Sequence, residues 1–326
     1  MSKFIAVIGC GHWGKNLVRN FYELDVLASI CDPNHLISNS LAKKYNVKNS
    51  VFDEILDDTN IKGVALAVPA QLHASMAIEA MNKGKHVFVE KPIALSEEEA
   101  NLMIASSKHN KVQLMVGHLL HYHPIFIKIK KLIQDGDIGK LNYIYSNRLS
   151  FGKIRSNEDV IWSFAPHDIS MILSLVNQEP EFISCKSSSV IQKNLADMAS
   201  IHLEFKSGLK SDIRVSWLNP KKEVKLVISG EDGILIFDDD KPWNKKLEKL
   251  KYKVEINKDL SSINKISQNF IEVSETEPLK NECQHFIDVV ENNIIPVTDG
   301  FEGLRVLQVL TAATKSHIKN QTLKYD

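Results

Sequence analysis

The chain has 326 residues, of which 44% are hydrophobic and 25% are charged, a composition typical of globular proteins. Its 40 basic and 40 acidic residues cancel, which excludes a strong overall field that would recruit nucleic acid or an anionic membrane surface. Because one hydrophobic core rarely spans such a length, we expect two domains.

Other bulk features favour a reduced, cytoplasmic protein. No apolar run approaches the roughly 20 residues that a membrane span needs. The first strand-like run starts at residue 4, so we expect no signal peptide. The cysteines are scattered without C-x-x-C spacing, which predicts neither disulfides nor a zinc site. They are Cys10, Cys31, Cys185 and Cys283.

The first element is an apolar run, residues 4–8, that leads directly into the pattern G-x-G-x-x-G. A helical pattern follows it. In such a turn Gly9 allows the tight bend, Gly11 lets the backbone approach a pyrophosphate, and Gly14 lets helix and strand pack closely. The helix N-terminus then offers N–H groups to the phosphates. The predicted cofactor-binding residues of the turn are Gly9, Gly11, His12, Trp13 and Gly14.

Asp32 ends the second apolar run, 18 positions after Gly14. A carboxylate at this point can accept hydrogen bonds from the ribose hydroxyls of NAD and would repel a 2′-phosphate. Pro33 and Asn34 follow, so no arginine stands next to Asp32 to hold such a phosphate. The sequence therefore predicts NAD as the cofactor, although Asp32 also fits a simple turn before proline.

Residues 1–120 alternate between strand and helix patterns. Strand-like runs continue at 26–31, 63–68, 86–89 and 112–117, and helical patterns include His73–Lys83 and Ser96–Asn110. Ser96 and Glu99 form a capping box. This alternation predicts an N-terminal Rossmann domain, a parallel sheet with helices on both faces and ligands at the carboxyl edge of its strands.

Residues 121–326 predict a second, α+β domain with a large, mostly antiparallel open sheet. Two-residue alternation dominates from residue 141 onward, interrupted by a helix near 165–176. Helices are also expected at 124–134, 279–292 and 300–317, and the closing helices are candidates to pack back on the first domain. Residues 241–270 give no clear pattern. We expect helices on one sheet face and another subunit on the other, hence a homodimer or homotetramer.

Glu90, Lys91 and Pro92 end an apolar run whose carboxyl end lies at the ligand edge of the predicted sheet. Lys91 could hydrogen-bond a substrate hydroxyl or share in a proton relay, with Glu90 near the cofactor. The Lys91–Pro92 bond is a candidate cis bond. Pro69 and His73, which follow the preceding strand, and Lys91 are further candidates for cofactor contacts, although His73 fits a helix start better.

Four segments together resemble the Gfo/Idh/MocA oxidoreductase family. They are the glycine turn, Ala-Val-Pro-Ala-Gln-Leu-His at 67–73, Gly-Lys-His-Val-Phe-Val-Glu-Lys-Pro at 84–92, and Thr-Asp-Gly-Phe-Glu-Gly-Leu-Arg at 298–305. The resemblance covers nearly the whole chain and is weakest over 241–275. It implies a Rossmann domain followed by a domain with an open sheet, a tightly held nicotinamide cofactor, and a sugar-like or cyclitol substrate.

In this resemblance a helix of the second domain carries a catalytic histidine, which His167 matches. A free imidazole has a pKa of about 6.5, which suits a base near neutral pH. Asp168 is expected as a supporting or helix-start group, and Trp162 as a substrate contact. Relatives usually carry Asp where this chain has Ser163, so a strict Asp–His pair is weakened. Lys91 and His167 are then the main catalytic candidates.

The crossover Gly-His-Leu-Leu-His-Tyr-His-Pro, residues 117–124, implies substrate contacts in the same family. His121, Tyr122 and His123 are the candidates, and Arg148 on a later strand could meet a phosphate or lie at the surface. No carboxylate or cysteine accompanies the three histidines in this segment, so no metal is expected.

The leading prediction is NAD-dependent oxidation of a secondary hydroxyl of a nucleotide-linked sugar, such as C3 of UDP-N-acetylglucosamine, in amino-sugar and lipopolysaccharide synthesis. The alternatives are a dehydrogenase of a free sugar or inositol and a reductase of a 3-keto sugar nucleotide. A non-catalytic, dinucleotide-binding regulator is a further alternative, to which Ser163 gives some support. The sequence shows no DNA-binding segment or basic patch that would support such a regulator.

Overall fold

A computed structural model describes residues 3–325, except 153, 157 and 257–260. The chain divides into two compact units. The first comprises Met1–Tyr122 and Glu277–Leu307, and the second comprises His123–Thr276 and Gln308–Asp326. The segment 277–307 therefore belongs to the first unit although it lies near the end of the chain.

The first unit contains a parallel sheet, which in the described residues has six strands in the order β3-β2-β1-β4-β5-β6. Its short apolar strands are buried, as expected for a sheet covered on both faces. The elements up to residue 117 are β1 Ile5–Ile8, α1 Gly14–Glu23, β2 Leu27–Cys31, α2 His35–Tyr45, β3 Lys48–Asn49, α3 Phe52–Asp57, β4 Gly63–Leu66, α4 His73–Asn82, β5 His86–Glu90, α5 Glu97–Asn110 and β6 Leu114–Gly117. The Ser96 hydroxyl caps α5 by accepting a hydrogen bond from the Glu99 backbone N–H at 3.2 Å.

The second unit contains a larger sheet, with nine strands among the described residues, in the order β14-β13-β12-β11-β7-β10-β9-β8-β15. All neighbours are antiparallel except β7 and β10. The remaining elements are α6 Pro124–Gln134, β7 Leu141–Phe151, α7 Val160–Val176, β8 Pro180–Ser188, β9 Met198–Phe205, β10 Lys210–Ser216, β11 Leu218–Gly230, β12 Gly233–Asp238, β13 Leu247–Ile256, β14 Ser261–Phe270, α8 Pro278–Asn292, α9 Gly300–Lys319 and β15 Leu323–Lys324. This architecture confirms the predicted fold class.

Helix α7 begins five residues before the predicted start and continues through Pro166. Asp159 caps it, because its carboxylate accepts a hydrogen bond from the Trp162 backbone N–H at 3.0 Å. Asp168 therefore lies inside the helix, and the prediction of a helix-start role for it is wrong. The segment 241–270, which the sequence left unassigned, contributes the β13–β14 hairpin.

The two closing helices are anchored differently. Helix α8 packs in the first unit, where the Phe286 ring lies 6.2 Å from Phe21 on α1 and 5.8 Å from Phe88 on β5. Asp299, just before α9, pairs with Met115 of β6 as an isolated bridge.

In the described part of the chain, no helix is long and apolar enough to cross a membrane.

Candidate active site

The glycine turn joins β1 to α1 at the carboxyl edge of the first sheet. Gly9 has a φ of +89°, and a Cβ there would lie 2.4 Å from the Ala67 carbonyl oxygen. A Cβ on Gly14 would lie 1.8 Å from the Gly9 carbonyl oxygen, so both positions exclude a side chain. Around Gly11 no atom lies within 4 Å of such a Cβ. The turn thus presents bare backbone at its middle glycine and the N-terminus of a ten-residue helix, which fits a pyrophosphate.

Asp32 stands at the end of β2, beside this turn. Its carboxylate accepts hydrogen bonds from the backbone N–H groups of Cys10, at 2.6 Å, and Asn34, at 2.8 Å. These two donors fix the direction of a half-buried carboxylate whose oxygens retain further lone pairs. The arrangement fits the ribose-binding role expected for this position in an NAD site.

Glu90 connects the turn to the segment that carries Lys91. The Trp13 indole N–H donates a hydrogen bond to its carboxylate. A Cβ at Gly117, on the neighbouring strand, would lie 3.0 Å from the other carboxylate oxygen, so a glycine leaves room for the group. Burial raises the pKa of Glu90 to about 7, although Trp13, Lys91 and His118 act to lower it. Lys91 itself is half-buried, and the Lys91–Pro92 bond is cis.

A second buried acid, Glu282 on α8, lies behind Glu90. The side chain is 1% exposed, and neither carboxyl oxygen has a hydrogen-bond partner among the residues described. Burial, followed by the negative charge of Glu90, raises the pKa of Glu282 well above its ordinary value. Sequence reasoning missed this residue, because a lone glutamate on an amphipathic helix looks like a solvated one.

His73 is buried between two loops of the carboxyl edge. Its ring nitrogens lie 2.8 Å from the Pro92 carbonyl oxygen and 3.0 Å from that of Val68. Burial lowers the pKa of His73. The imidazole therefore ties the loop after β4, which contains Pro69, to the Lys91–Pro92 segment. This contact is structural, in line with the helix-start interpretation of His73.

The crossover after β6 is held by the closing segment of the chain. The Tyr122 hydroxyl lies 2.9 Å from the Thr298 hydroxyl, which donates to the Val116 carbonyl oxygen at 2.7 Å. The Glu302 carboxylate is hydrogen-bonded to His118 and lies 3.5 Å from Nε2 of His121. A carboxylate therefore does accompany two of these histidines in space, from a segment 184 residues after His118 that the local pattern did not reveal. No metal-holding group of His, Cys, Asp and Glu occurs among the described residues.

His123, in the second unit, is buried against aromatic rings. Its ring centroid lies 4.9 Å from that of Phe237 and 5.6 Å from that of Trp243. Nδ1 accepts a hydrogen bond from the Ile125 backbone N–H at 3.2 Å and so caps α6. Burial lowers the pKa of His123 to about 4. The contacts in this unit give its neutral ring a structural role.

Helix α7 carries the remaining candidates of the second unit. Asp168 is 1% exposed; its carboxylate lies 2.7 Å from Nε of Arg148 and 3.2 Å from Nη2, and also accepts from Ser146. Arg148 is thus already engaged by a buried carboxylate. His167 is half-buried, one turn after the buried Ser163. The Trp162 ring is half-buried, and its indole N–H donates a hydrogen bond to the Thr314 hydroxyl at 3.1 Å.

Comparison with known proteins agrees with this architecture. Residues 3–118 match the Gfo/Idh/MocA model described as "Oxidoreductase family, NAD-binding Rossmann fold", and residues 126–236 match the family's C-terminal domain. Scyllo-inositol 2-dehydrogenase (NAD(+)) of Bacillus subtilis is 25% identical over 98% of this chain and 96% of that protein. UDP-N-acetylglucosamine 3-dehydrogenase of Acidithiobacillus ferrooxidans is 28% identical over 64% of this chain and 66% of that protein.

The fold also matches solved structures over nearly its full length. A structure of the Acidithiobacillus ferrooxidans UDP-N-acetylglucosamine 3-dehydrogenase has a TM-score of 0.85 at 23% identity, covering 97% of this chain and 98% of that one. With two family models covering most of the sequence and a glycine turn and carboxylate that fit NAD, the chain belongs to the Gfo/Idh/MocA family and is an NAD-dependent oxidoreductase.

Proposed function

We propose that the protein oxidises a secondary hydroxyl, that of C3, on a nucleotide-linked sugar such as UDP-N-acetylglucosamine, with NAD as the acceptor. The observation that carries the proposal is the 28% identity to a UDP-N-acetylglucosamine 3-dehydrogenase. The segment Trp-Ser-Phe-Ala-Pro-His-Asp-Ile-Ser, residues 162–170, gives further support through its resemblance to the sugar-nucleotide branch.

In this proposal each catalytic side chain has one task at the reacting hydroxyl. His167 removes the hydroxyl proton, and Lys91 donates a hydrogen bond to the same oxygen and stabilises the charge that develops there. Bound NAD supplies the hydride acceptor. The glycine turn and Asp32 orient it by backbone N–H groups and a fixed carboxylate.

The proposed substrate contacts differ in the way each side chain could take part in the site. Lys91, Trp162 and His167 are half-buried and can present a polar or aromatic surface to a sugar. Tyr122, His123, Arg148 and Asp168 have partners within their own units, so they would support the site by holding their neighbours. His121, which is buried against Glu302, belongs to this second group.

The decisive experiment is a panel of sugar nucleotides, free sugars and inositols with NAD, read by NADH absorbance and product mass. We expect turnover of UDP-N-acetylglucosamine and a mass loss of two hydrogens. Lys91→Ala and His167→Asn should each lower kcat about 10²- to 10⁴-fold while NADH still binds. Variants that bind NADH and turn over the substrate like the parent would place the chemistry elsewhere.

A dehydrogenase of inositol or a free sugar is the second candidate. It is favoured by the match to scyllo-inositol 2-dehydrogenase, which extends over 98% of this chain. Activity on an inositol without activity on any sugar nucleotide would establish it. Running the same panel with NADH and 3-keto sugar nucleotides tests the reductase direction.

We also propose that the protein is a cytoplasmic homodimer or homotetramer that associates through the open face of its large sheet. Tyr145, Val227 and Ile236 are register partners on one face, whereas Ser146 and Arg148 point to the opposite face and contact Asp168 of α7. Light scattering after size-exclusion chromatography measures the mass directly. Replacing Tyr145 and Ile236 with lysine should yield monomers.

A further inference from the structure

The closing segment Thr298–Arg305 has no role in the proposed chemistry, yet the structure anchors it firmly on β6. The Val116 backbone N–H donates to the Thr298 carbonyl oxygen at 2.7 Å, and the Thr298 hydroxyl donates to the Val116 carbonyl oxygen. Asp299 then caps the start of α9 by accepting from the Glu302 backbone N–H at 2.9 Å. These bonds fix Glu302 at the carboxyl end of β6.

The Glu302 carboxylate holds two buried imidazoles. One oxygen is hydrogen-bonded to Nδ1 of His118, and the other lies 3.5 Å from Nε2 of His121. Both histidine side chains are 2% exposed. Burial alone would raise the pKa of Glu302, but contact with the two imidazoles holds it well below its ordinary value. A buried carboxylate in such a network orders its partners strongly.

His118 lies beside the segment that carries Lys91. In the parallel register of β5 and β6, Glu90 is opposite Gly117, so Lys91 and His118 are the first residues after the ends of these two neighbouring strands. His118 is also close enough to Glu90 to influence its carboxyl group. His118, held by Glu302, therefore follows the carboxyl end of β6, at the same edge of the sheet where Glu90 and Lys91 follow β5.

We propose that Glu302 is a positioning residue of the dehydrogenase, which fixes the imidazole of His118 beside the Glu90–Lys91 segment and thereby helps to set the direction of Lys91. This inference rests on the role given to Lys91 in the proposed function. A fixed carboxylate hydrogen-bonded to Nδ1 holds the imidazole ring of His118 in one orientation. The closing segment thus contributes to catalysis without touching the substrate.

A double-mutant cycle tests whether Glu302 acts through His118. Glu302→Gln keeps the size of the side chain and removes its charge. We expect it to lower kcat about 10- to 100-fold, since small misplacements of a catalytic group have costs of this size, and to change the KM for NAD by less than about threefold. The double variant with His118→Asn should be no slower than His118→Asn alone. Glu98→Gln, on the exposed face of α5, is the matched control and should leave kcat unchanged.

A second measurement needs neither substrate nor cofactor. In protein with ¹⁵N-labelled imidazoles, the Nδ1 proton of His118 should give a downfield signal that disappears in both Glu302→Gln and His118→Asn. Fully additive losses of kcat, or an unchanged kcat with a lower melting temperature only, would overturn the inference. If Lys91→Ala retains full activity while the signal is present, the proposed role of Lys91 fails and the His118–Glu302 pair stands.

Discussion

Replacing Glu282 with glutamine should change how the stability of the protein depends on pH. Burial and the charge of Glu90 raise the pKa of Glu282 well above its ordinary value. The folded protein then keeps a proton that the unfolded chain releases above its own pKa of about 4.3. Stability must therefore fall as pH rises from that value toward the folded pKa. Glu282→Gln keeps the shape of the side chain and removes this titration.

The magnitude follows from linkage. One proton bound more tightly by the folded state costs about 1.4 kcal/mol of unfolding free energy per pH unit. Between the pKa of the unfolded chain and the higher pKa of the folded protein, the parent should therefore lose stability with each pH unit at about this rate, and the variant should not. The glutamine amide is also buried, at a cost of about 1–3 kcal/mol if it finds no partner. The diagnostic quantity is therefore the slope of the unfolding free energy against pH, and not the difference in unfolding free energy between variant and parent at one pH.

Urea unfolding of the cofactor-free protein at pH 5, 6, 7 and 8, followed by circular dichroism, measures this slope for the transition that unfolds the first unit. Glu291→Gln, at an exposed position of the same helix, is the control and should run parallel to the parent. If the Glu282→Gln curve is also parallel to the parent curve, the buried carboxyl is ionised in the folded state and the reasoning is wrong.

Three further changes give distinct outcomes. Gly14→Ala places a Cβ 1.8 Å from a backbone carbonyl oxygen of the same turn, so it should weaken NADH binding at least tenfold in fluorescence titrations and cost about 1–3 kcal/mol of stability. Asp32→Ala should raise the Kd of NADH about 10- to 100-fold through lost charge-assisted hydrogen bonds, whereas Asp53→Ala, at an exposed site, should not. Arg148→Met leaves Asp168 without its cation and should cost about 3–5 kcal/mol in urea unfolding. If Arg148 serves a substrate phosphate instead, KM rises while stability is kept.

Most elements of the fold were predictable because their patterns are local. Alternating strand and helix periods located five of the six described strands of the first sheet, and the two-residue strand β3 is too short to leave a pattern. Pro166 made the start of α7 hard to predict, since proline usually interrupts a helix. Here the Asp159 cap and the burial of most of the helix offset the backbone hydrogen bond that Pro166 cannot donate. The β13–β14 hairpin was missed because β14 is largely exposed and shows no two-residue alternation, so the alternation of β13 had no partner strand in the pattern.

The candidate site was predictable only where one segment carries the chemistry. The glycine turn and Asp32 follow from spacing, and their geometry fits the cofactor. The partner of His118 lies 184 residues away in sequence, so no window along the chain could pair it with Glu302. Arg148 shows the opposite difficulty. From the sequence, the guanidinium of Arg148 is a candidate to bind phosphate. In the fold, the buried carboxylate of Asp168 lies beside it.

Three glutamates of the first unit show how environment assigns different states to one residue type. Glu302 is held by two imidazoles and has a lowered pKa, Glu90 has a pKa of about 7, and Glu282 has a raised pKa because of its burial and the nearby charge of Glu90. The three carboxyl groups of the first unit therefore bind a proton with different affinities. Groups whose pKa values are driven apart in this way mark the sites where proteins handle protons. Because Lys91 directly follows Glu90, we expect a change in the ionisation of Glu90 to affect the reaction through that lysine.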